Sequence, residues 1–231
     1  MTLSIIIPCY NEEALLSSKI PTLLKITEES TTEIIVVDCP KSDDDTKKLM
    51  DNFPSVFYHT CENSGRAQQM NFGATKAKNS VLLFLHADVT LPENYFSLIS
   101  NHIQNYDFGL FNYQFDKSNF WMRVNSSFVK NKKGLFTGGG DQCHFFKKET
   151  FDRLNGYDEE FCIMEDFEMM DRVKKGNIPY EVIQTPVTVS ARKYEKNSWL
   201  KVNLVNGYVF ISYKMGVTPS TLKKRYRSLT R

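Results

Sequence analysis

The chain begins with Leu3-Ser-Ile-Ile-Ile-Pro-Cys-Tyr-Asn-Glu-Glu13, a β-branched run followed at once by polar and acidic side chains. Because β-branched residues favour strands, Leu3 to Ile7 is predicted to be a short buried strand. Pro8 is expected to end this strand, and Asn11 is expected to cap a helix that extends to about Glu29. This unit of strand, polar loop and helix sets the pattern for the rest of the first half.

The same unit recurs three more times. Further strands are predicted at 33–38, 56–60 and 81–86, and further helices from Asp43 to Asp45 onward, at 66–78 and at 92–104. Such alternation with continuously apolar strands predicts an α/β fold, Rossmann-like, with a mainly parallel sheet and helices on both faces. Ligands of such sheets bind beyond the carboxyl ends of the strands. The loops that follow the strands are therefore the first places to look for function.

The second half is less regular. The patterns predict strands at 108–115, up to Phe146, at 180–183 and at 187–190, and helices at 119–133, 165–175 and 198–215. A flexible loop is expected at 137–142, where Gly138, Gly139 and Gly140 follow one another. No repeat, low-complexity tract or linker divides the chain, so we expect one domain over residues 1–231, with C-terminal helices.

Charge is unevenly distributed along the chain. The formal net charge is only +2, yet ten basic residues and one acidic residue lie between Arg192 and Arg231. An acidic body therefore carries a basic C-terminal end. The near-neutral total argues against a nucleic-acid binder.

Cysteine usage and the N-terminus predict a cytoplasmic location. The five cysteines are scattered, odd in number and never in a Cys-x-x-Cys pair, which is typical of reduced thiols. The N-terminal residues carry neither a basic region nor an apolar run of signal length.

Three carboxylates stand where chemistry is expected. Asp88 follows a buried strand, where a carboxylate is suited to bind a divalent cation on a diphosphate. Alternatively, Asp88 is a helix N-cap or a turn residue before Pro92. Asp38 ends the second strand, where it can accept hydrogen bonds from a nucleoside or serve as a turn residue. Asp166, in the first turn of a helix, is a candidate general base or simply a charged helix start.

Several chemistries lack their signatures. The chain has no Gly-x-Gly-x-x-Gly or P-loop pattern, and its four histidines form no zinc-binding pair. No Gly-x-Ser-x-Gly elbow or Cys/His arrangement supports a hydrolase.

Four segments taken together resemble family 2 glycosyltransferases of the GT-A fold. They are Ser4–Glu13, Ile34–Asp38, Leu83–Asp88 and Met164–Asp166. Gly65–Ala74, Gly140–Gln142 and Val189–Lys196 are similar to small cytosolic members labelled as associated with radical-SAM and selenium-related genes or with arsenosugar biosynthesis. The resemblance covers essentially the whole chain and implies a nucleotide-binding half over 1–106, an acceptor and catalytic half over 107–196, and a C-terminal helix with a basic tail over 197–231.

The resemblance implies transfer of a sugar from a UDP- or GDP-sugar to an acceptor hydroxyl, with inversion and with Mg²⁺ or Mn²⁺. Asp166 is then the catalytic base, Asp141 its rival, and Asp88 the metal ligand. The implied nucleotide-sugar residues are Pro8, Tyr10, Glu12, Asp38, Arg66, His86, Ala87 and Arg192. The implied acceptor residues are Asp141, Gln142 and Glu165.

Two positions depart from the family pattern. His86 replaces the first aspartate of Asp-x-Asp, so one negative charge is missing beside the metal. Cys39-Pro40 replaces the usual small step after Asp38, which stiffens that loop and removes an N–H.

Two other functions compete with sugar transfer. A nucleotidyltransferase of similar topology is expected to have a Gly-rich loop with Arg or Lys directly after the first strand, to bind a triphosphate. This chain has acidic residues, Glu12 and Glu13, in that loop. A non-catalytic nucleotide-binding protein could lose Asp88 or Asp166, and this chain keeps both. The apolar helix at 198–215 is expected to pack on the domain or a second copy, or to bring Lys223, Lys224, Arg225 and Arg227 to an anionic membrane surface.

Overall fold

The structure is a computed structural model that describes residues 1–28, 30–117, 134, 136–195 and 198–229. Of residues 193 and 195 only the backbone is described. The helix predicted at 119–133 lies outside these ranges.

Eight strands and nine α-helices are present in the described residues. The strands are β1 (Leu3–Cys9), β2 (Thr32–Asp38), β3 (Val56–Thr60), β4 (Val81–Phe84), β5 (Val89–Thr90), β6 (Phe108–Phe115), β7 (Phe145–Lys147) and β8 (Tyr180–Val189). The helices are α1 (Glu13–Thr27), α2 (Thr46–Met50), α3 (Arg66–Lys76), α4 (Tyr95–His102), α5 (Lys148–Arg153), α6 (Glu165–Lys175), α7 (Arg192–Glu195), α8 (Trp199–Lys214) and α9 (Pro219–Leu229).

All eight strands form one sheet in the order β3-β2-β1-β4-β7-β6-β8-β5. β1, β2, β3 and β4 are parallel, as is the pair of β6 and β8. β7 is antiparallel to β4 and β6, and β5 is antiparallel to β8. The predicted α/β fold is confirmed, and its second half adds the antiparallel strands that make the sheet mixed.

Successive side chains of β1 enter two different cores. Ile5 and Ile7 belong to a cluster with Leu16 and Ile20 of α1, whereas Ile6 packs in a second cluster that includes Met70 of α3. Strand side chains alternate between the two faces of a sheet. Helices therefore cover both faces, as the continuously apolar strands predicted, and the polar loops are left at the strand ends.

The expectation that Pro8 ends the first strand is wrong. β1 continues to Cys9, with Pro8 opposite Val37 of β2. The backbone carbonyl of Ile6 accepts a hydrogen bond from the N–H of Leu85, on the β4 side of the strand. Backbone groups two residues apart in a strand point to the same side, so the backbone of Pro8 also faces the β4 side. The β1–β4 pairing has ended by then, at Ile6 and Phe84, so no partner misses the absent N–H of the proline.

Asn11 does not cap α1. It has a left-handed backbone, with φ 52°, and its side-chain amide donates to Asp43 over 2.6 Å. The acceptor near the helix start is Asp44, whose carboxylate receives the N–H of Glu13 (2.8 Å) and, through its other oxygen, that of Thr46 (3.2 Å). Asp43 to Asp45 therefore precede α2 rather than open it, and Asp44 ties together the loops that follow β1 and β2.

Other boundaries also differ from the patterns. α4 begins at Tyr95 rather than at Pro92, and the two strands predicted near 180–190 are one irregular strand, β8. Helices α5 and α7 were not predicted, and α9 is a further C-terminal helix whose limits the sequence did not give. The expected helix at 165–175 and the expected strands at 56–60 and 108–115 have the predicted limits.

The C-terminal helices α8 and α9 pack against each other and against the segment before α6. Val205, Val209 and Leu222 form their shared core, joined by Ile163 and Met164. Asp171 of α6 accepts hydrogen bonds from Tyr213 and Lys214 of α8. In the described part of the chain, no helix is long and apolar enough to cross a membrane.

Candidate active site

A cavity of about 890 Å³ lies at the carboxyl ends of the parallel strands. Eight of the residues implied by the resemblance line it together with Asp141: Pro8, Tyr10, Glu12, Arg66, His86, Ala87, Asp88 and Arg192. They come from the end of β1 and the loop after it, from the start of α3, from the loop after β4, from the glycine-rich turn and from α7, which are far apart in the sequence. Parallel strands collect these loops at one edge of the sheet, which is the usual ligand position in such folds.

Asp38 is the one nucleotide-sugar candidate that does not line this cavity. Its side chain is buried, and its two oxygens accept hydrogen bonds from Ser42 (2.5 Å) and Tyr58 (2.9 Å). Cys39 beside it does line the cavity. The structure thus gives Asp38 a role in holding the loop after β2.

The strand ends are joined by a residue that sequence reasoning missed. The amide of Gln69 in α3 donates to the carbonyl oxygens of Cys9 (2.6 Å) and Val37 (2.8 Å). Gln69 is buried and lines the cavity floor. A single side chain therefore holds the ends of β1 and β2 at a set distance.

Lys19 of α1 holds the loop that carries Asp88. Its ammonium group donates to the carbonyl oxygen of His86 over 3.1 Å and to that of Val89. Burial lowers the pKa of Lys19 to about 8. Its position in an amphipathic helix gave no sign of this contact, which arises only when α1 packs beside β4.

His86 carries no charge at neutral pH. Burial, together with the nearby Arg66 guanidinium, lowers the pKa of its imidazole to about 3. This agrees with the neutral imidazole expected where the family has an aspartate. At this position the site therefore offers a neutral hydrogen-bonding group in place of a second carboxylate.

The glycine-rich segment is a tight turn between His86 and Asp166. Residues Gly140–Gln142 form a 3-10 turn, closed by a hydrogen bond from the N–H of Gly138 to the side-chain oxygen of Gln142 (2.7 Å). A Cβ on Gly140 would lie 2.2 Å from the His86 ring and 2.4 Å from the Asp166 carboxylate. Only glycine fits there, so the expected flexible loop is a packing element that sets the spacing of two candidate site residues.

Gln142 supports this turn from below. It is fully buried, and its amide also donates to the carbonyl oxygen of Phe111 (3.0 Å). The residue borders a second cavity, described below, but its side-chain oxygen and amide both form hydrogen bonds within the protein. This makes it a positioning residue, whereas the resemblance implied that it binds the acceptor.

Asp166 and Glu165 place two buried carboxylates side by side at the start of α6. Glu165 accepts a hydrogen bond from Arg66 at 3.1 Å, while Asp166 lies against Gly140. Burial, and then repulsion by Glu165, raise the pKa of Asp166 well above the usual aspartate value, although Arg66 opposes this. A carboxylate destabilised in this way is a stronger proton acceptor than one in water.

A second cavity, of about 550 Å³, opens on the Asp166 side. Its walls include seven aromatic side chains: Tyr113, Phe136, Phe167, Tyr194, Trp199, Phe210 and Tyr226. It shares seven lining residues with the first cavity, and the two cavities meet there: Arg66, His86, Asp141, Cys162, Ile163, Asn206 and Tyr226. None of these aromatic residues was a site candidate from the sequence, because they are spread over β6, α6, α7, α8, α9 and the segment at Phe136.

Arg192 closes the first cavity from the side. Its guanidinium makes a bidentate ion pair with Glu12, at 2.9 and 2.7 Å. The pair joins α7 to the loop after β1 across the cavity rim. Arg192 therefore lines the first cavity together with Glu12.

A divalent metal ion fits this site only with help from the substrate. Within the described residues, no group of three or more His, Cys, Asp or Glu side chains is arranged to hold one. Mg²⁺ and similar ions in phosphate sites often take one or two protein carboxylates and complete their shell with substrate oxygens and water. Asp88, which lines the first cavity, matches such a single-carboxylate arrangement.

The family model described as glycosyl transferase family 2 matches residues 4–163. This span includes the loops after β1, β2, β3 and β4 and ends just before the Glu165-Asp166 pair. The chain therefore belongs to glycosyl transferase family 2. A comparison with curated protein sequences found no match.

Several solved structures share the fold. The structure of S. aureus TarS 1-349 in complex with UDP-GlcNAc has a TM-score of 0.67 at 16% identity, covering 99% of this chain and 71% of that one. TarS 1-349 in complex with UDP gives 0.66 at 16% identity, covering 99% and 70%. The mannosyltransferase PcManGT from Pyrobaculum calidifontis, in complex with GDP-Man and Mn²⁺, gives 0.61 at 16% identity, covering 99% and 68%. The GT-A fold is confirmed.

Replacing Gly140 with alanine tests the spacing of His86 and Asp166. Because the new Cβ overlaps both side chains, we expect Gly140→Ala to lower turnover by about 100-fold, the effect of a misplacement of about 1 Å. Gly139→Ala is the matched control, since its Cβ would first meet Phe167 at an ordinary 3.5 Å. The measurement is release of nucleoside diphosphate from the donor, with thermal melting to verify folding. Equal rates for the two variants would contradict the proposed packing role.

Proposed function

We propose that this protein transfers a sugar from a nucleoside-diphosphate sugar to an acceptor hydroxyl, with inversion at the anomeric carbon. The observation that carries the proposal is the junction of the two cavities. There the buried Asp166 carboxylate lines the aromatic cavity and lies beside Gly140, next to His86, which lines both cavities. A base between a donor and an acceptor is the arrangement that direct displacement needs.

The first cavity is the proposed donor site. Most of its lining residues lie within the family match, and it contains Asp88 and Arg192. The fold neighbours bound to UDP, UDP-GlcNAc and GDP-Man support a nucleotide-sugar donor with either uracil or guanine as the base.

Asp88 would hold Mg²⁺ or Mn²⁺ against the diphosphate, and the Mn²⁺ in the mannosyltransferase complex supports this proposal. Such an ion neutralises charge that develops on the leaving group. The neutral His86, two residues before Asp88, would donate a hydrogen bond to the sugar or the ribose.

The second cavity is the proposed acceptor site. The acceptor hydroxyl would reach Asp166 from the aromatic side, and Asp166 would remove its proton as the oxygen attacks the anomeric carbon. The bond from that carbon to the diphosphate breaks on the opposite face, so the product is inverted. A positioned base typically contributes about 10²–10⁴-fold to such a rate.

We propose that the enzyme works in a reducing compartment, consistent with the cytoplasmic location expected from the sequence. All five cysteines are free thiols. Four of them are buried, and only Cys162 is half-exposed, where it borders both cavities.

A thermal-shift panel of nucleotide sugars tests the proposed donor. A ligand that binds the native state raises the melting temperature by mass action. We expect UDP- or GDP-sugars to raise it, with a larger rise in Mn²⁺ than in EDTA, and ATP to have little effect. A panel in which a nucleoside triphosphate stabilises the protein most would favour the nucleotidyltransferase alternative.

Asp166→Asn is expected to abolish most turnover while leaving donor binding in place. Because the pKa of Asp166 is raised on folding, its ionised form costs stability above the unfolded-state pKa. The neutral asparagine removes this cost, so at neutral pH the variant should melt about 2–4 °C higher for each ~1 kcal/mol relieved. The gain should vanish at a pH below the usual aspartate pKa, where the carboxyl group is protonated in both states.

Asp141→Asn is the comparison for this experiment, since Asp141 is the rival base. We expect it to keep more activity than Asp166→Asn. The reverse order would assign the base to Asp141.

Glu165→Gln tests the cause of the raised Asp166 pKa. Turnover should fall on the acid side as Asp166 takes up a proton. Removing the repulsion by Glu165 lowers the Asp166 pKa, so this acid limb should move to lower pH. Glu168→Gln is the control, because Glu168 pairs with Arg172 elsewhere on α6. An unmoved acid limb in Glu165→Gln would show that a different group sets it.

A further inference from the structure

The strand-end part of the donor cavity has no excess of positive charge. Among the described lining residues outside α8 and α9, three cations face three carboxylates: Lys41, Arg66 and Arg192 against Glu12, Asp88 and Asp141. Arg66 and Arg192 are moreover already paired, with Glu165 and Glu12 respectively. These loops alone are therefore a poor match for a doubly charged diphosphate.

The C-terminal helices supply the missing charge. Lys201 of α8 and Lys223 and Arg227 of α9 line the same cavity and bring no carboxylate with them. Lys223 and Arg227 are four residues apart on one helix, so they project from the same face. Every surplus positive charge among the described lining residues comes from α8 and α9.

The other cations of these helices are engaged or directed elsewhere. Lys214 forms an ion pair with Asp171 at 2.7 Å, and Arg225 donates to Ser212 at 3.1 Å. Lys224 is exposed and does not line the cavity. The basic residues of the C-terminal end therefore have different surroundings, and three of them, Lys201, Lys223 and Arg227, line the donor cavity.

These three cations stand on a packed part of the domain. Leu222 of α9 and Val205 of α8 are buried in the cluster that includes Ile163 and Met164, directly before Glu165. Helices held in this way keep Lys223 and Arg227 at a defined distance from the strand ends.

We infer that α8 and α9 form the diphosphate-binding wall of the donor site, with Lys201, Lys223 and Arg227 as its cationic groups. The inference rests on the proposed function, because it names the part of the donor that these helices recognise. Lysine and arginine bind phosphate oxygens through charge-assisted hydrogen bonds, and a cavity of one charge sign raises the local concentration of an anionic ligand. In this arrangement the ligand of Lys223 and Arg227 is the diphosphate in the donor cavity, in place of the anionic lipid considered from the sequence.

The test is calorimetric titration of the full chain with UDP and GDP, in EDTA and again in Mn²⁺. We expect the double variant Lys223→Gln/Arg227→Gln to lose 10-fold or more in affinity for whichever nucleotide the wild type binds, under both conditions. Lys224→Gln is the matched control and should bind as the wild type does. Lys223→Arg/Arg227→Lys, which keeps both charges, should retain most of the affinity, and equal melting temperatures would show that the fold is intact.

The outcomes separate this inference from the proposed function. If the wild type binds neither nucleotide in either condition, the proposed donor site itself fails. If the wild type binds and the double variant matches Lys224→Gln, the diphosphate wall is overturned while the donor site stands. The membrane alternative is tested by co-sedimentation with phosphatidylserine vesicles. If the bound fraction falls below the wild-type value equally in Lys224→Gln and in the double variant, while both keep the wild-type affinity for UDP and GDP, these cations belong to a membrane surface instead.

Discussion

The approach of Gly140 to His86 and Asp166 is the contact on which the site depends. The two side chains come from distant parts of the chain, one at the end of β4 and one at the start of α6. The glycine turn lies between them because any Cβ at position 140 would overlap both. The buried amide of Gln142 holds the turn in place. The spacing of the proposed base from the donor cavity is therefore set by backbone packing, which is stiffer than a contact between long side chains.

Burial sets the chemistry of the groups around that contact. Burial keeps the imidazole of His86 neutral. It also raises the pKa of Asp166, and repulsion by the adjacent Glu165 raises that pKa further. Arg66 compensates one of the two carboxylates directly. Such an arrangement costs stability and yields a reactive carboxylate, the usual exchange at catalytic sites. The exchange is tolerated because two large apolar clusters on either face of the sheet stabilise the rest of the domain.

Much of the fold followed from local patterns. The apolar strands and the alternation with helices predicted the α/β sheet, and the limits of β3, β6 and α6 were as expected. The errors have specific physical causes. Pro8 lies within β1 because the missing N–H faces a side where pairing has ended, and Asn11 is not a cap because Asp44, from a loop 31 residues away in sequence, takes the Glu13 N–H. Both depend on a neighbouring strand or loop that a local pattern does not contain.

For the site, the sequence by itself determined which carboxylates, which histidine and which arginines follow strands or open helices, and the motifs they form identified the family. Only the tertiary structure decided how they are used. In the structure Asp38 holds the loop after β2 and Gln142 holds the glycine turn. Lys19 and Gln69 form hydrogen bonds with backbone groups at the strand ends. Aromatic residues from several elements together line the second cavity. The tertiary structure also placed Lys201, Lys223 and Arg227 on the donor cavity, so that a basic end and an acidic body meet at one site. The physical reason is that charge, burial and hydrogen bonding act through space, and positions far apart in the chain become neighbours only when the sheet and its helices have packed.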